Sequence, residues 1–158
     1  MKKERVLVYL ILSLLFEPIF CAGMASESDL DKRIAAIVAE ITPQLVEIRR
    51  DLHAHPELSF QEKRTAALVA AYLENLGLEV RTGIAGTGVL RILRGKKKGP
   101  ILAMRADMDA LPISEETGLP FSSQEKAIVD GCEVGVMHAC GHDIHTTILL
   151  GVARPRGT

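Results

Sequence analysis

Three observations along the chain predict an α/β layer architecture. Apolar residues first recur at helical spacing over two stretches. Short β-prone runs bounded by glycine and proline follow. A last apolar stretch then opens behind a glycine. At 158 residues the chain is long enough to enclose one hydrophobic core.

Leu30, Ile34, Ile37, Val38, Ile41, Leu45, Ile48 and Leu52 form one apolar stripe with charge on the opposite face, which predicts an amphipathic helix. Pro43 lies inside the stripe. It lacks an amide donor and crowds the preceding turn, so the helix is expected to kink or split there, and Pro56 is expected to end it. Ser59, with Glu62 three residues on, reads as a capping box opening a second helix. Val69, Tyr72, Leu73 and Leu76 give that helix its buried face, and Gly77 stops it.

Strand candidates follow at residues 78–81, 88–94 and 100–106. The lysine-rich residues 95–99 read as a solvated turn between the last two, which are therefore expected to pair as a hairpin. Residues 107–112 leave the third strand as a loop. Residues 118–135 read as irregular and polar. From Gly141 a new helix runs through Ile148, Leu149 and Leu150. There is no internal repeat.

The N-terminus has a different character. Lys2, Lys3 and Arg5 precede an apolar run at residues 6–16, broken only by Ser13, and the small residues Ala22, Gly23 and Ala25 follow. That order predicts a secretory signal peptide over residues 1–25, cut after Gly23 or Ala25, and export to a periplasmic or extracellular space. The run is too short to span a bilayer as a helix. Cys21 invites a lipoprotein reading, which the bulky Phe20 before it opposes. A start at Met24 is the alternative and implies a cytoplasmic protein. The expected organisation is a leader over 1–25, a catalytic-domain portion over 26–153 and an aberrant tail over 154–158.

Composition excludes some classes. The formal net charge is −1, so no basic excess points to nucleic acid. Aromatic residues are 4% with no Trp, which leaves little for stacking on bases or sugars. Removal of the leader leaves Cys132 and Cys140. Their spacing is not that of a thioredoxin-like pair, though an exported protein could join them as a disulfide.

The strongest local pattern is Met137-His138-Ala139-Cys140-Gly141-His142-Asp143-Ile144-His145. Thiolate and imidazole are the natural ligands of zinc and similar ions. Gly141 lets the backbone turn so that Cys140 and His142 could face one ion. Asp143 is available to hold an imidazole, and the helix start beside Cys140 favours a thiolate. The competing reading is a buried cysteine near solvated histidines.

Two further patterns stand beside it. Asp107 and Asp109 follow directly on an apolar run, where α/β sheets build their sites. They could orient ligands or bind metal, or simply make turn hydrogen bonds. His53 and His55 end a helix rather than a strand, so they read better as a helix C-terminus favoured by its dipole than as metal ligands.

Residues 49–58, 104–113 and 135–147 together resemble a group of metallo-exopeptidase relatives: the hippurate hydrolases, bacterial N-acyl-amino-acid amidohydrolases and plant indole-acetyl-amino-acid hydrolases. The likeness runs from about Ile41 to Ala153. It implies part of a three-layer α-β-α zinc-exopeptidase-like catalytic domain, with the family's lid and dimerisation domain absent. It implies a two-metal centre of zinc, manganese or cobalt with Cys140 and His142 as ligands, and Asp109 as the active-site aspartate. Asp107 stands where more distant exopeptidases have a histidine ligand, so no metal role carries over to it.

The implied reaction is hydrolysis of an N-acyl amino acid or related small amide by a metal-activated water. A glutamate general base serves that reaction in the family. It comes from a Glu-Glu pair downstream of the matched segments, and further histidine ligands follow. Residues 154–158 depart from the family, so the chain reads as a truncated and inactive portion of a protein that can form homo-oligomers. Two readings from other classes remain at this point. One is a metal-binding fragment without turnover. The other is a closed structural zinc module built from Cys132, Cys140, His142 and His145.

Overall fold

The computed structural model describes residues 28–95 and 97–154. The expected leader and residues 155–158 of the expected tail lie outside them. Contacts divide the chain into a unit ending at Ala35 and a second unit from Ala36 onward.

The described part of the first unit is the start of helix α1 (Asp29–Ala54). Ser28 caps it reciprocally with Asp31. The Ser28 hydroxyl accepts the Asp31 amide at 3.1 Å, and the Asp31 carboxylate accepts the Ser28 amide at 3.1 Å. This acid-closed capping box satisfies two of the amides a helix start leaves free.

In the second unit α1 runs on through Pro43 without dividing, so of the expected kink or split the split does not occur. The proline removes one backbone bond, but the apolar stripe is held on both sides of it. Ile41 and Leu52 are buried, and Ile48 packs against the core. Burial of each such side chain is worth roughly 1.5–3 kcal/mol, enough to retain the helix.

Helix α2 (Lys63–Asn75) does not use the Ser59 box. The carboxylate of Glu57 caps it instead, accepting the amides of Arg64 at 2.9 Å and Thr65 at 2.8 Å. Glu62 accepts the Thr87 hydroxyl at 2.6 Å. The C-terminus follows expectation: Gly77 takes φ +72° and donates to the Glu74 carbonyl at 2.8 Å.

Strands β1 (Glu79–Ile84) and β2 (Gly88–Ile92) form an antiparallel hairpin in the register Val80↔Arg91, with a bulge before Ile84. The expected pairing was therefore wrong. The β2 partner lies before it, across the tight turn at residues 85–87, where Ala85 and Gly86 both have positive φ. Residues 100–106 enter no ladder among the described residues, and Ile101 is 98% and Leu102 84% exposed.

Residues 118–135 are not wholly irregular. Strands β3 (Lys126–Val129) and β4 (Cys132–Gly135) form a second antiparallel hairpin. Its turn is Asp130-Gly131, with φ +52° and +79°, the left-handed pair that a two-residue hairpin requires.

Helix α3 (His142–Ala153) begins behind Gly141 as expected. Val69 and Leu73 of α2 meet Leu150 and Ala153 of α3 in the core. Ile48, Tyr72, Val80, Val89 and Met108 pack around them. Gly151 sits against Leu45 of α1, where a Cβ would come within 2.8 Å of its methyl. Helices and hairpins together make a mixed α/β arrangement, with the loops from residue 107 and residue 136 brought to one end of α3.

Candidate metal centre

Two loops meet at the start of α3. Single bridges hold them there. Leu111 and Met137 exchange both backbone hydrogen bonds at 3.0 Å, and the Ala110 amide donates to Glu57 at 2.7 Å. The first contact ties the aspartate loop to the Cys/His segment. The second ties the aspartate loop to the segment leaving α1.

Gly141 makes the turn between Cys140 and His142. Its φ of +73° is open to glycine at no steric cost. The Gly141 amide closes on the His138 carbonyl at 3.2 Å, and the helix starts with the next residue. Cys140 is exposed with a free thiol.

His142 and Asp109 are in direct contact. The imidazole Nδ1 lies 2.9 Å from the Asp109 carbonyl oxygen and 3.0 Å from its Oδ1. Both are acceptors, so Nδ1 carries the proton and donates. The lone pair then sits on Nε2, the nitrogen a metal takes. Carboxylate-oriented imidazoles of this kind are the usual metal-binding form of histidine. An accessible thiol and a pre-oriented imidazole, two residues apart, are a donor set that fits a zinc-like divalent cation.

Asp107 is otherwise engaged. Arg105 donates to its Oδ1 from Nε at 2.8 Å and Nη2 at 2.6 Å. Those bonds hold the Asp107 carboxyl below the usual carboxylate range, with the charges of Arg105, His142 and His145 adding to the effect. His145 lies beside His142, ring centroids 6.0 Å apart.

Asp143 holds an imidazole, but not that of His142. It is 1% exposed, and its Oδ2 is 2.8 Å from His53 Nδ1 and 2.8 Å from Arg49 Nε. His53 Nε2 reaches Glu115 Oε1 at 3.1 Å. His53 is thus buried in an ionic cluster, while His55 is exposed and turns back to the Asp51 carbonyl at 2.8 Å. The two histidines do not act as a pair. His138 is 4% exposed with no hydrogen bond to either ring nitrogen, and burial lowers its pKa toward the neutral form.

Among the described residues no three His, Cys, Asp or Glu side chains are placed to hold one metal ion, and Cys132 is free and exposed. The four-ligand zinc module is therefore not assembled, and the considered disulfide is not formed. Sequence reading missed His53 and Arg49 as partners of Asp143, and Glu115 as the partner of His53. Its one available clue was the buried stripe on α1, which continues through Leu52 to His53.

Residues 103–154 match the profile of peptidase family M20/M25/M40. The N-acetyl-L-cysteine deacetylase of Bacillus subtilis is 46% identical over 73% of this chain and 26% of its own length. The N-acyl-L-amino acid amidohydrolase of Geobacillus stearothermophilus is 45% identical over 78% of this chain and 31% of its own length. Among solved structures, the Bacillus subtilis YXEP protein, a dinuclear metal binding peptidase from the M20 family, superposes with a TM-score of 0.65 at 44% identity, over 73% of this chain and 31% of that one. Over these segments the chain is similar to amidohydrolases and peptidases of the M20 family. It spans about a third or less of the length of those it matches.

Proposed function

We propose that the chain carries part of the metal centre of an amidohydrolase acting on N-acyl amino acids or similar small peptide-like amides. The observation that carries this reading is the Asp109–His142 contact, which leaves a metal-ready imidazole two residues along the chain from the free thiol of Cys140. Cys140 and His142 would hold the metal, and Asp109 keeps the imidazole in one tautomer and one direction. Two divalent cations, when bound, supply the Lewis acidity that makes a water nucleophilic and polarises an amide carbonyl. The substrate class is supported by the relatives named for N-acetyl-L-cysteine and N-acyl-L-amino acids. The metal pair is supported by the dinuclear structural neighbour.

Since the matched segment is 26% and 31% of the length of these two relatives, the 158-residue polypeptide by itself is expected to bind metal without turnover. A chimera tests the reading. Residues 41–153 replace the matching part of the Bacillus subtilis deacetylase, and release of cysteine from N-acetylcysteine is followed with added zinc, cobalt or manganese. Metal-dependent release that disappears in the Cys140→Ala chimera is expected. A folded chimera that binds metal but releases nothing contradicts the catalytic reading.

A further inference from the structure

The ionic cluster beneath α3 has no part in the chemistry described so far. Two side chains from the last turns of α1 meet Asp143 Oδ2: His53 Nδ1 is hydrogen-bonded to it at 2.8 Å, and the Arg49 guanidinium forms an ion pair with Nε at 2.8 Å but outside hydrogen-bond geometry. His53 continues to Glu115, whose other carboxylate oxygen takes the Ser123 amide at 2.6 Å. Burial alone raises the pKa of Glu115. The Thr117 hydroxyl, the Ser123 amide and His53 outweigh it and hold the carboxyl below its ordinary range. Phe121 closes the side, edge-on to His53 with ring centroids 5.6 Å apart and with the Arg49 guanidinium 5.1 Å over its face.

Such a cluster is a poor source of stability, because desolvating the charges consumes most of what their attraction returns. Its geometry serves something else. Asp143 follows His142 directly on the first turn of α3, and successive side chains on a helix point about 100° apart. His142 is fixed on one side by Asp109, and Asp143 is fixed on another by Arg49 and His53. Two anchors at different angles fix the rotation of that turn about the helix axis, which one anchor does not.

We infer that Asp143 and His53 are positioning residues that lock the first turn of α3 and so hold His142 Nδ1 on Asp109, which keeps the lone pair on Nε2. This inference rests on the reading of His142 as a metal ligand, and the test separates the two. Imidazole nitrogen NMR on the metal-free 158-residue chain reads the tautomer of His142, and cobalt(II) titration reads its use as a ligand. Wild type should show the Nδ1-protonated form. In Asp143→Asn that form should give way to a mixture of tautomers. Cobalt affinity should fall about 10–100-fold, the usual effect of losing a residue that orients a ligand. The thiolate–cobalt absorption from Cys140 should persist at saturation.

An unchanged His142 tautomer in folded Asp143→Asn overturns the positioning role, whatever cobalt does. A shifted tautomer in a chain whose wild type takes up no cobalt supports the positioning role and removes the metal reading. Should Asp143→Asn fail to fold, Glu115→Gln decides by the same criterion. It leaves Asp143 in place and loosens only the far side of His53.

Discussion

Asp109 accepts the Nδ1 proton of His142 twice, at its backbone carbonyl and at its carboxylate, although the two residues are 33 positions apart. Each acceptor alone would select the tautomer. Together they also fix the plane of the ring. Asp109→Ala removes the carboxylate and leaves the carbonyl. Cobalt(II) binding to that variant is expected to weaken about 10–100-fold while the thermal unfolding midpoint shifts little. Equal affinity in wild type and variant, measured by titration, would show that the carbonyl suffices.

Glu115 should make folding stability depend on acid. Its folded pKa lies below its unfolded value, so its contribution is complete above the ordinary glutamate range and is lost as pH falls through the lowered folded value. The stability difference between wild type and Glu115→Gln should be largest near neutrality and shrink below about pH 4.3, the ordinary glutamate pKa. Urea unfolding of both proteins across that range measures it. A difference that grows on acidification would reverse the sign and refute the assignment.

The core allows a plain stability prediction. Leu52 is 0% exposed, one residue from His53. Leu52→Ala should cost roughly 2–5 kcal/mol, the range for removing a large aliphatic side chain from a packed site. Chemical denaturation followed by circular dichroism reports it, and a loss below 1 kcal/mol would mean that α1 packs less firmly than its burial implies.

The helices were legible in the sequence because their stripes are long. The stripe on α1 survives Pro43, and Gly141 marks the start of α3. The hairpins were not. Residues 126–135 read as a polar stretch because β3 and β4 are four residues each, and the Asp130-Gly131 turn was the one clear sign of them. The β1–β2 hairpin was misplaced because the lysines of residues 95–99 look more like a turn than Ala85-Gly86-Thr87 does. Asp109, Cys140 and His142 could be singled out because each lies in a compact motif. Nothing local revealed that Asp143 would meet His53 across 90 residues, since neither residue's neighbours differ in kind from those of a solvated helix end.

Export is a separate proposal, supported by Lys2, Lys3 and Arg5, the apolar run and the small residues after it. Expressed with its N-terminus intact, the protein should be recovered outside the cytoplasm with a new terminus after Gly23 or Ala25. N-terminal sequencing that returns Met1, or a cytoplasmic product starting at Met24, would contradict it.

The central claim is that Cys140 and His142 are the metal ligands this chain contributes. Metal content of the purified chain and of four variants, loaded with cobalt(II) and measured by elemental analysis beside the thiolate–cobalt absorption band, tests it most directly. Cys140→Ala should abolish the band, His142→Ala should lower cobalt content at least tenfold, and Cys132→Ala and His145→Ala should retain both. A chain that loses its cobalt in His145→Ala but stays loaded in Cys140→Ala would contradict the account.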